Sequence, residues 1–325
     1  MLNQRYGEVI ILGSGFSKSV SESMPTMKDL TRDIMSLTDN PEYSHLARFV
    51  GELLAMSGHS NELLTVEQIA SLILSRSMYY NNEERISYEI LKHQLLRWIF
   101  DRIEAHQPRV DEAKSERLLS FFRNISSGRP DALPSLVISF NYDLLVERLL
   151  QSKPDAPKVD YLITLNRYDR EQDMSDKAAG LKLHYLKLHG SLNWFAAPGS
   201  LRYDLSDVYL VEPDEPSKFL VHYQDIPVYI PMTFTKSTFF SGSLYNILWN
   251  IARRRIEEAP SIRFIGYGFP PTDSDNLYFF LKHKEKISEI VIYEEEPGPL
   301  ERLKKLFPDT TIHNMDAWGY LQKVI

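Results

Sequence analysis

The chain has 325 residues, 43% hydrophobic and 25% charged, with a formal net charge of −7 and no cysteine. Its length exceeds the usual single-core size, so one large domain with a smaller module is expected. The absence of cysteine excludes disulfides, thiolate catalysis and Cys-based zinc sites, and the acidic balance argues against a surface built to hold nucleic acid directly. No run approaches the ~20 apolar residues of a membrane helix. The early apolar run at 9–12 is too short for a signal peptide. A cytoplasmic location without a membrane partner is therefore expected.

Short runs rich in Val, Ile and aromatics at 9–12, 136–140, 185–188, 262–265 and 290–293 read as strands buried on both faces. Helical patterns at 143–151, 244–258, 275–286 and 299–307 fall among the later ones. Such alternation implies crossover connections and a mostly parallel sheet, a Rossmann-like doubly wound α/β fold. Two stretches interrupt it. Residues 40–130, with helical patterns at 66–80 and 83–106, read as a helical module inserted between the first and second core strands. Residues 195–235 carry Tyr203 and the runs 208–211, 219–223 and 228–230 among prolines. They read as a small antiparallel excursion or as long loops covering a site. Arg253, Arg254 and Arg255 form the one concentrated basic patch, read as a solvated helix face or a subunit contact.

The first strand runs into Gly13-Ser14-Gly15-Phe16-Ser17. Glycines at a strand-to-helix turn let backbone N–H groups approach a phosphate. The dehydrogenase fingerprint would place a third glycine where Lys18 stands and a second strand where 26–37 reads as helix, so ordinary hydride transfer is not expected. A tight turn without a ligand is the plain alternative. The second strand ends in Asn141-Tyr142-Asp143 and the third in His189-Gly190-Ser191. Ligands of doubly wound sheets gather at the carboxyl ends of strands, so these clusters are expected to face one crevice. Gly266-Tyr267-Gly268 after the fourth strand permits close approach of a ribose or phosphate. Glu294 after the fifth could accept both hydroxyls of an adenosine ribose, although Glu295 and Glu296 beside it also fit a plain acidic loop.

Taken in order, Gly-Ser-Gly-Phe-Ser, Phe-Asn-Tyr-Asp, Leu-His-Gly-Ser and Gly-Tyr-Gly resemble the sirtuin-like NAD-binding family, with the closest likeness to bacterial NADases of anti-phage defence. The resemblance spans about 9–293 and implies that the whole chain, 1–325, is one NAD-binding domain carrying the 40–130 module. By it, Gly13, Ser14, Gly15, Phe16 and Ser17 cradle the pyrophosphate, and Asn141 sits by the nicotinamide ribose and positions the attacking water. Asp143 lies near the carboxamide, His189 acts as general base, and Gly266, Gly268 and Glu294 serve the adenosine half. Sirtuin deacylases usually carry four zinc-binding cysteines after the catalytic His; here 195–235 stands in place of that zinc ribbon, and no metal is expected.

The activity implied is NAD+ glycohydrolase, giving nicotinamide and ADP-ribose. Unregulated, it would be toxic, so the resemblance further implies a homo-oligomer or a partner that activates it, such as a HerA-type ATPase or a prokaryotic Argonaute encoded nearby. A non-catalytic NAD or ADP-ribose binding regulatory subunit and a zinc-free deacylase are the alternatives. In the leading reading the Asn141 carbonyl orients a water while its NH₂ holds a ribose hydroxyl. His189 accepts a proton at neutral pH.

Overall fold

The computed structural model describes residues 4–37, 40–56, 64–75, 82–106, 110–127, 132–167, 180–197, 203–214, 216–218, 225–234, 236, 239–240 and 242–324. Its frame is a seven-stranded sheet. The strands are β1 (Glu8–Leu12), β2 (Ser135–Ser139), β3 (Lys158–Asp160), β5 (Lys182–Lys187), β9 (Ile262–Ile265), β10 (Ile287–Ile292) and β11 (Thr311–Asn314). They lie in the order β11-β10-β9-β1-β2-β5-β3 and every pairing is parallel. A central parallel strand is covered on both faces, which is why β1 and β2 read as unbroken apolar runs. Val9, Ile10, Ile11 and Leu12 are all buried, and each such side chain stabilises the fold by about 1.5–3 kcal/mol relative to exposure.

Between β1 and β2 the described residues form helices: α1 (Ser14–Val20), α2 (Met27–Met35), α3 (Ser44–Met56), α4 (Val66–Leu74), α5 (Asn82–Ala105) and α6 (Glu112–Ile125). Local sequence sets their starts. Thr26 with Asp29 and Thr65 with Gln68 close capping boxes on α2 and α4, satisfying amides that a helix N-terminus leaves unpaired. The remaining helices are α7 (Leu145–Gln151), α8 (Ser243–Glu258), α9 (Ser274–Leu281), α10 (Pro297–Leu306) and α11 (Ala317–Val324). The helix expected over 275–286 ends as α9 at Leu281, and a separate 3₁₀ turn covers Lys284–Lys286. Of the expected 66–80 helix, residues 76–80 lie outside the described residues, as does the run at 219–223. Of the basic patch, Arg253 and Arg254 lie on the exposed helix face, Arg254 paired with Glu258, whereas Arg255 is buried, donates to the Gln4 carbonyl and stands over the Tyr6 ring.

A second sheet is built from β4 (Asn166–Arg167), β6 (Gly190–Ala196), β7 (Val208–Leu210) and β8 (Ile226–Tyr229), in the order β4-β7-β6-β8. β6 runs antiparallel to β7 and β8, while β4 is parallel to β7. The antiparallel element thus begins at Gly190, earlier than the composition suggested, because Gly190 itself makes the corner. Its φ is +79°, and a Cβ there would sit 2.3 Å from the Val228 carbonyl oxygen.

After β5 the chain crosses β1 to add β9 on its other side, so the strand order reverses between β1 and β9. At that switch point two backbones touch. Gly15 N donates to Gly266 O at 2.9 Å, and Gly266 N donates to Val291 O at 2.8 Å. Gly266 has φ +71°, and a Cβ on it would lie 2.1 Å from the Phe16 amide nitrogen. Left-handed backbone costs an L-residue roughly 1–2 kcal/mol before any clash. Gly266→Ala is therefore expected to destabilise the protein by about 3 kcal/mol or more, read as a lowered midpoint in urea unfolding.

Candidate functional site

The second strand delivers Asn141 beside the first. Its Nδ2 donates to Gly13 O at 2.8 Å and to Ser17 Oγ at 3.0 Å, and Ser17 Oγ donates in turn to Asp143 Oδ2 at 2.8 Å. The Gly13 carbonyl can only accept, so the amide group of Asn141 is fixed in orientation. Both protons of its NH₂ are spent inside the protein. The reading in which that NH₂ holds a ribose hydroxyl is corrected accordingly: the atom left without a partner among the described residues is the carbonyl oxygen. Asp143 Oδ1 caps the turn by accepting from Leu145 N at 3.1 Å. Three amides of the glycine turn are also engaged: Gly13 N with Ile265 O at 3.2 Å, and Gly15 N with Gly266 O and Phe16 N with Gly13 O, each at 2.9 Å. Ser14 and Gly15 form its exposed tip.

Beneath this loop lies an ammonium group that ties the two polar clusters together. Lys187 is 0% exposed and Glu147 2%. Lys187 Nζ donates to Glu147 Oε1 at 2.8 Å, to the Asp143 carbonyl at 2.7 Å and to Ser191 Oγ at 2.8 Å. An ammonium has three protons, and all three are used. Ser191 Oγ passes the bond on to Asn193 Oδ1 at 2.7 Å, and Tyr161 OH donates to Glu147 Oε1 at 3.1 Å. The backbone of the Asn141 loop and the turn carrying His189 are thereby held to a common point.

His189 occupies the corner from β5 into β6. Its carbonyl accepts from Ile230 N at 2.8 Å, its ring meets Phe140 edge-on at 5.1 Å, and the residue is 8% exposed. Phe140 stacks on Tyr267 at 4.6 Å, so an aromatic wall joins His189 to the second glycine loop. Burial, and secondarily the Lys236 ammonium, hold the imidazole well below its ordinary range, while a hydrogen bond to the Phe140 backbone acts the other way. His189 is therefore neutral at neutral pH. Burial raises the phenol of Tyr142, with Asp143 adding to it.

At the other end of the crevice Gly268 faces Glu294: a Cβ on that glycine would lie 3.0 Å from Ile292 Cδ1 and 3.7 Å from Glu294 Oε1. Asn314, at the end of β11, clamps Glu294 from both sides, accepting its N–H at 3.0 Å and donating to its carbonyl at 3.2 Å. Burial raises the Glu294 carboxyl, and Glu296 adds to the rise.

The structure thus brings Gly13, Ser17, Asn141 and Asp143 into one hydrogen-bonded set, His189 into its aromatic border, and Gly266, Gly268 and Glu294 along the same row of strand ends. Phe16 is buried beneath the turn and points into the core. Sequence reading passed over Lys187 and Asn314. A lysine inside the apolar run 185–188 was the available signal for the first. No group of three or more His, Asp or Glu side chains among the described residues is arranged to hold a metal ion.

No protein-family model matches the sequence, and no curated protein matches it. Among solved structures the chain is similar to a Sir2 homologue in complex with NAD, at 15% identity and TM-score 0.50 over 99% of this chain and 88% of that one. Sir2 with a p53 peptide and NAD+ matches at 14% identity and TM-score 0.47, covering 99% of this chain and 93% of that one. A structure described as the basis for the mechanism and regulation of Sir2 enzymes matches at 13% identity and TM-score 0.46, covering 98% and 90%. The chain has the sirtuin-like fold.

Two outcomes follow from this geometry. Lys187→Met leaves Glu147 charged and buried without its partner, which is expected to cost about 3–5 kcal/mol in denaturant unfolding. The second concerns pH. A histidine whose folded pKa lies below its unfolded value of ~6.5 binds fewer protons folded than unfolded, so stability is lost as pH falls through that value. Burial depresses His184 as well as His189. Melting temperature is expected to drop between pH 7 and pH 5.5, and His189→Gln to flatten that slope.

Proposed function

We propose that the row of strand ends binds NAD and that the protein is an NAD+ glycohydrolase, cleaving the nicotinamide–ribose bond to give nicotinamide and ADP-ribose. The observation that carries the reading is the order of the polar ends across the sheet. Glu294 follows β10, Gly266 and Gly268 follow β9, and Gly13 to Ser17 follow β1. Asn141 and Asp143 then follow β2, and His189 follows β5. Neighbouring strands lie ~4.8 Å apart, so the four steps from β10 to β5 span roughly 19 Å, a length suited to an extended dinucleotide laid across the switch point. A carboxylate at one end suits the two hydroxyls of an adenosine ribose, and glycines in the middle let a pyrophosphate approach the backbone.

Bound in this way, the dinucleotide would supply an anomeric carbon and a pyridinium leaving group that departs without a proton. The chain's own residues supply the rest. The carbonyl oxygen of Asn141 accepts a hydrogen bond from the attacking water and aims it. His189, neutral at working pH, takes the proton. The Phe140–Tyr267 wall and the buried surroundings of His189 exclude bulk water. Asp143, braced by Ser17 and Leu145 N, sets its carboxylate near the carboxamide, while its carbonyl stays on Lys187.

Hydrolysis is favoured over deacylation because the chain has no cysteine for a zinc ribbon and carries the β6–β7–β8 sheet in that interval. The buried state of His189 supports a site held closed until a partner or oligomerisation opens it. That agrees with an anti-phage effector whose activity must be silent between infections.

Incubation with NAD is expected to release nicotinamide, from the protein alone or when co-expressed with its genomic neighbour. Asn141→Ala and His189→Ala should each lower the rate by about 10²–10⁴-fold, measured by chromatography. Saturable NAD binding without release under both conditions would instead establish a binding-only regulatory subunit, and turnover of acetyl-lysine peptide would establish a deacylase.

A further inference from the structure

The connection between β8 and α8 is fastened to its surroundings at several of the described residues. Ile230 N donates to His189 O at 2.8 Å. Tyr142 OH points to Met232 Sδ at 3.6 Å. From the helical side, Ser71 on α4 accepts from Phe234 N at 2.8 Å and shares a hydrogen bond with Thr233 at 3.0 Å. At its far end Lys236 forms an ion pair with Asp273, their side chains 11% and 6% exposed.

Asp273 belongs to the turn that follows the second glycine loop, and Tyr267 OH donates to its other carboxylate oxygen at 2.8 Å. Asn276 Nδ2 donates to the same Tyr267 oxygen at 3.2 Å. Since Tyr267 stacks on Phe140 and Phe140 borders His189, a continuous chain of contacts runs His189–Phe140–Tyr267–Asp273–Lys236.

We propose that Lys236 is a positioning residue for His189: paired with Asp273, it anchors the described residues 230–234 and 236 and braces the Tyr267–Phe140 wall against which the imidazole rests. The proposal deepens the hydrolase reading and rests on it only for the role of His189 as base. The Lys236 charge, acting with burial, disfavours protonation of the ring and so keeps it in the neutral form, at some cost in basicity. The groups facing the pair are Asp275 on α9, Asp273 and Tyr267 on the adjoining turns, and His189 itself. Burial pulls the Lys236 ammonium down to about 8, with Asp275 pulling it the other way. The cation therefore persists at neutral pH and is lost in alkaline solution.

The test reads the imidazole directly and needs no turnover. Ring proton shifts of His189, assigned with His189→Gln, are followed against pH in the full-length protein. Lys236→Met should move the His189 midpoint upward, and Lys236→Arg, which keeps charge and pairing, should leave it near the wild-type value. As an independent readout, Asp273→Asn should speed amide exchange at Ile230 and Phe234 by about tenfold or more. An unmoved His189 midpoint in Lys236→Met, or unchanged exchange in Asp273→Asn, would overturn the proposal. A protein that releases no nicotinamide yet shows both effects would sink the hydrolase reading while leaving the positioning role standing.

Discussion

One ammonium group holds this molecule's crevice together. Lys187 sits at the end of β5 with no exposed surface and spends its three protons on Glu147, the Asp143 carbonyl and Ser191. Burying a charge costs several kcal/mol unless its partners are complete. Here the demand for complete partners is what fixes the geometry. The loop after β2 and the corner after β5 must both reach the same nitrogen, so the separation of Asn141 and His189 is set from below.

The second constraint is backbone proximity at the switch point. A parallel sheet whose order reverses at β1 leaves the two glycine loops side by side, and their contact leaves no room for a Cβ on Gly13 or Gly266. The same contact orients Asn141, because the Gly13 carbonyl, fixed by the turn, claims one amide proton and Ser17 claims the other. Fold and chemistry are joined at this point: the glycines pack the protein against itself, and the packing decides which atom of Asn141 remains for a ligand.

Much of this was legible in the sequence, for identifiable reasons. Strands buried on both faces leave unbroken apolar runs, so β1, β2, β5, β9 and β10 stood out, and polar residues directly after them pointed to one edge of the sheet. β3, β4 and β11 did not stand out: they are short, and polar residues such as Lys158, Asp160, Asn166 and Asn314 break their pattern. β6 was hidden because Gly190 and Ser191 resemble a loop, whereas Gly190 makes a corner that only its positive φ permits. The partners of Lys187 lie as far as 44 residues away, and no local pattern announces a contact of that kind. Nor could spacing reveal that the Asn141 NH₂ was already committed, since both acceptors lie on α1 and the turn before it.

The central claim is that the strand ends form one continuous dinucleotide site, with its reactive end between Asn141 and His189. A crystal structure of the protein with a non-hydrolysable carba analogue of NAD tests this most directly. The adenosine ribose is expected at Glu294, the pyrophosphate against Gly13 to Gly15, and the nicotinamide ribose within hydrogen-bond reach of the Asn141 carbonyl oxygen. Analogue bound elsewhere, or with its nicotinamide end at Glu294, would contradict that placement.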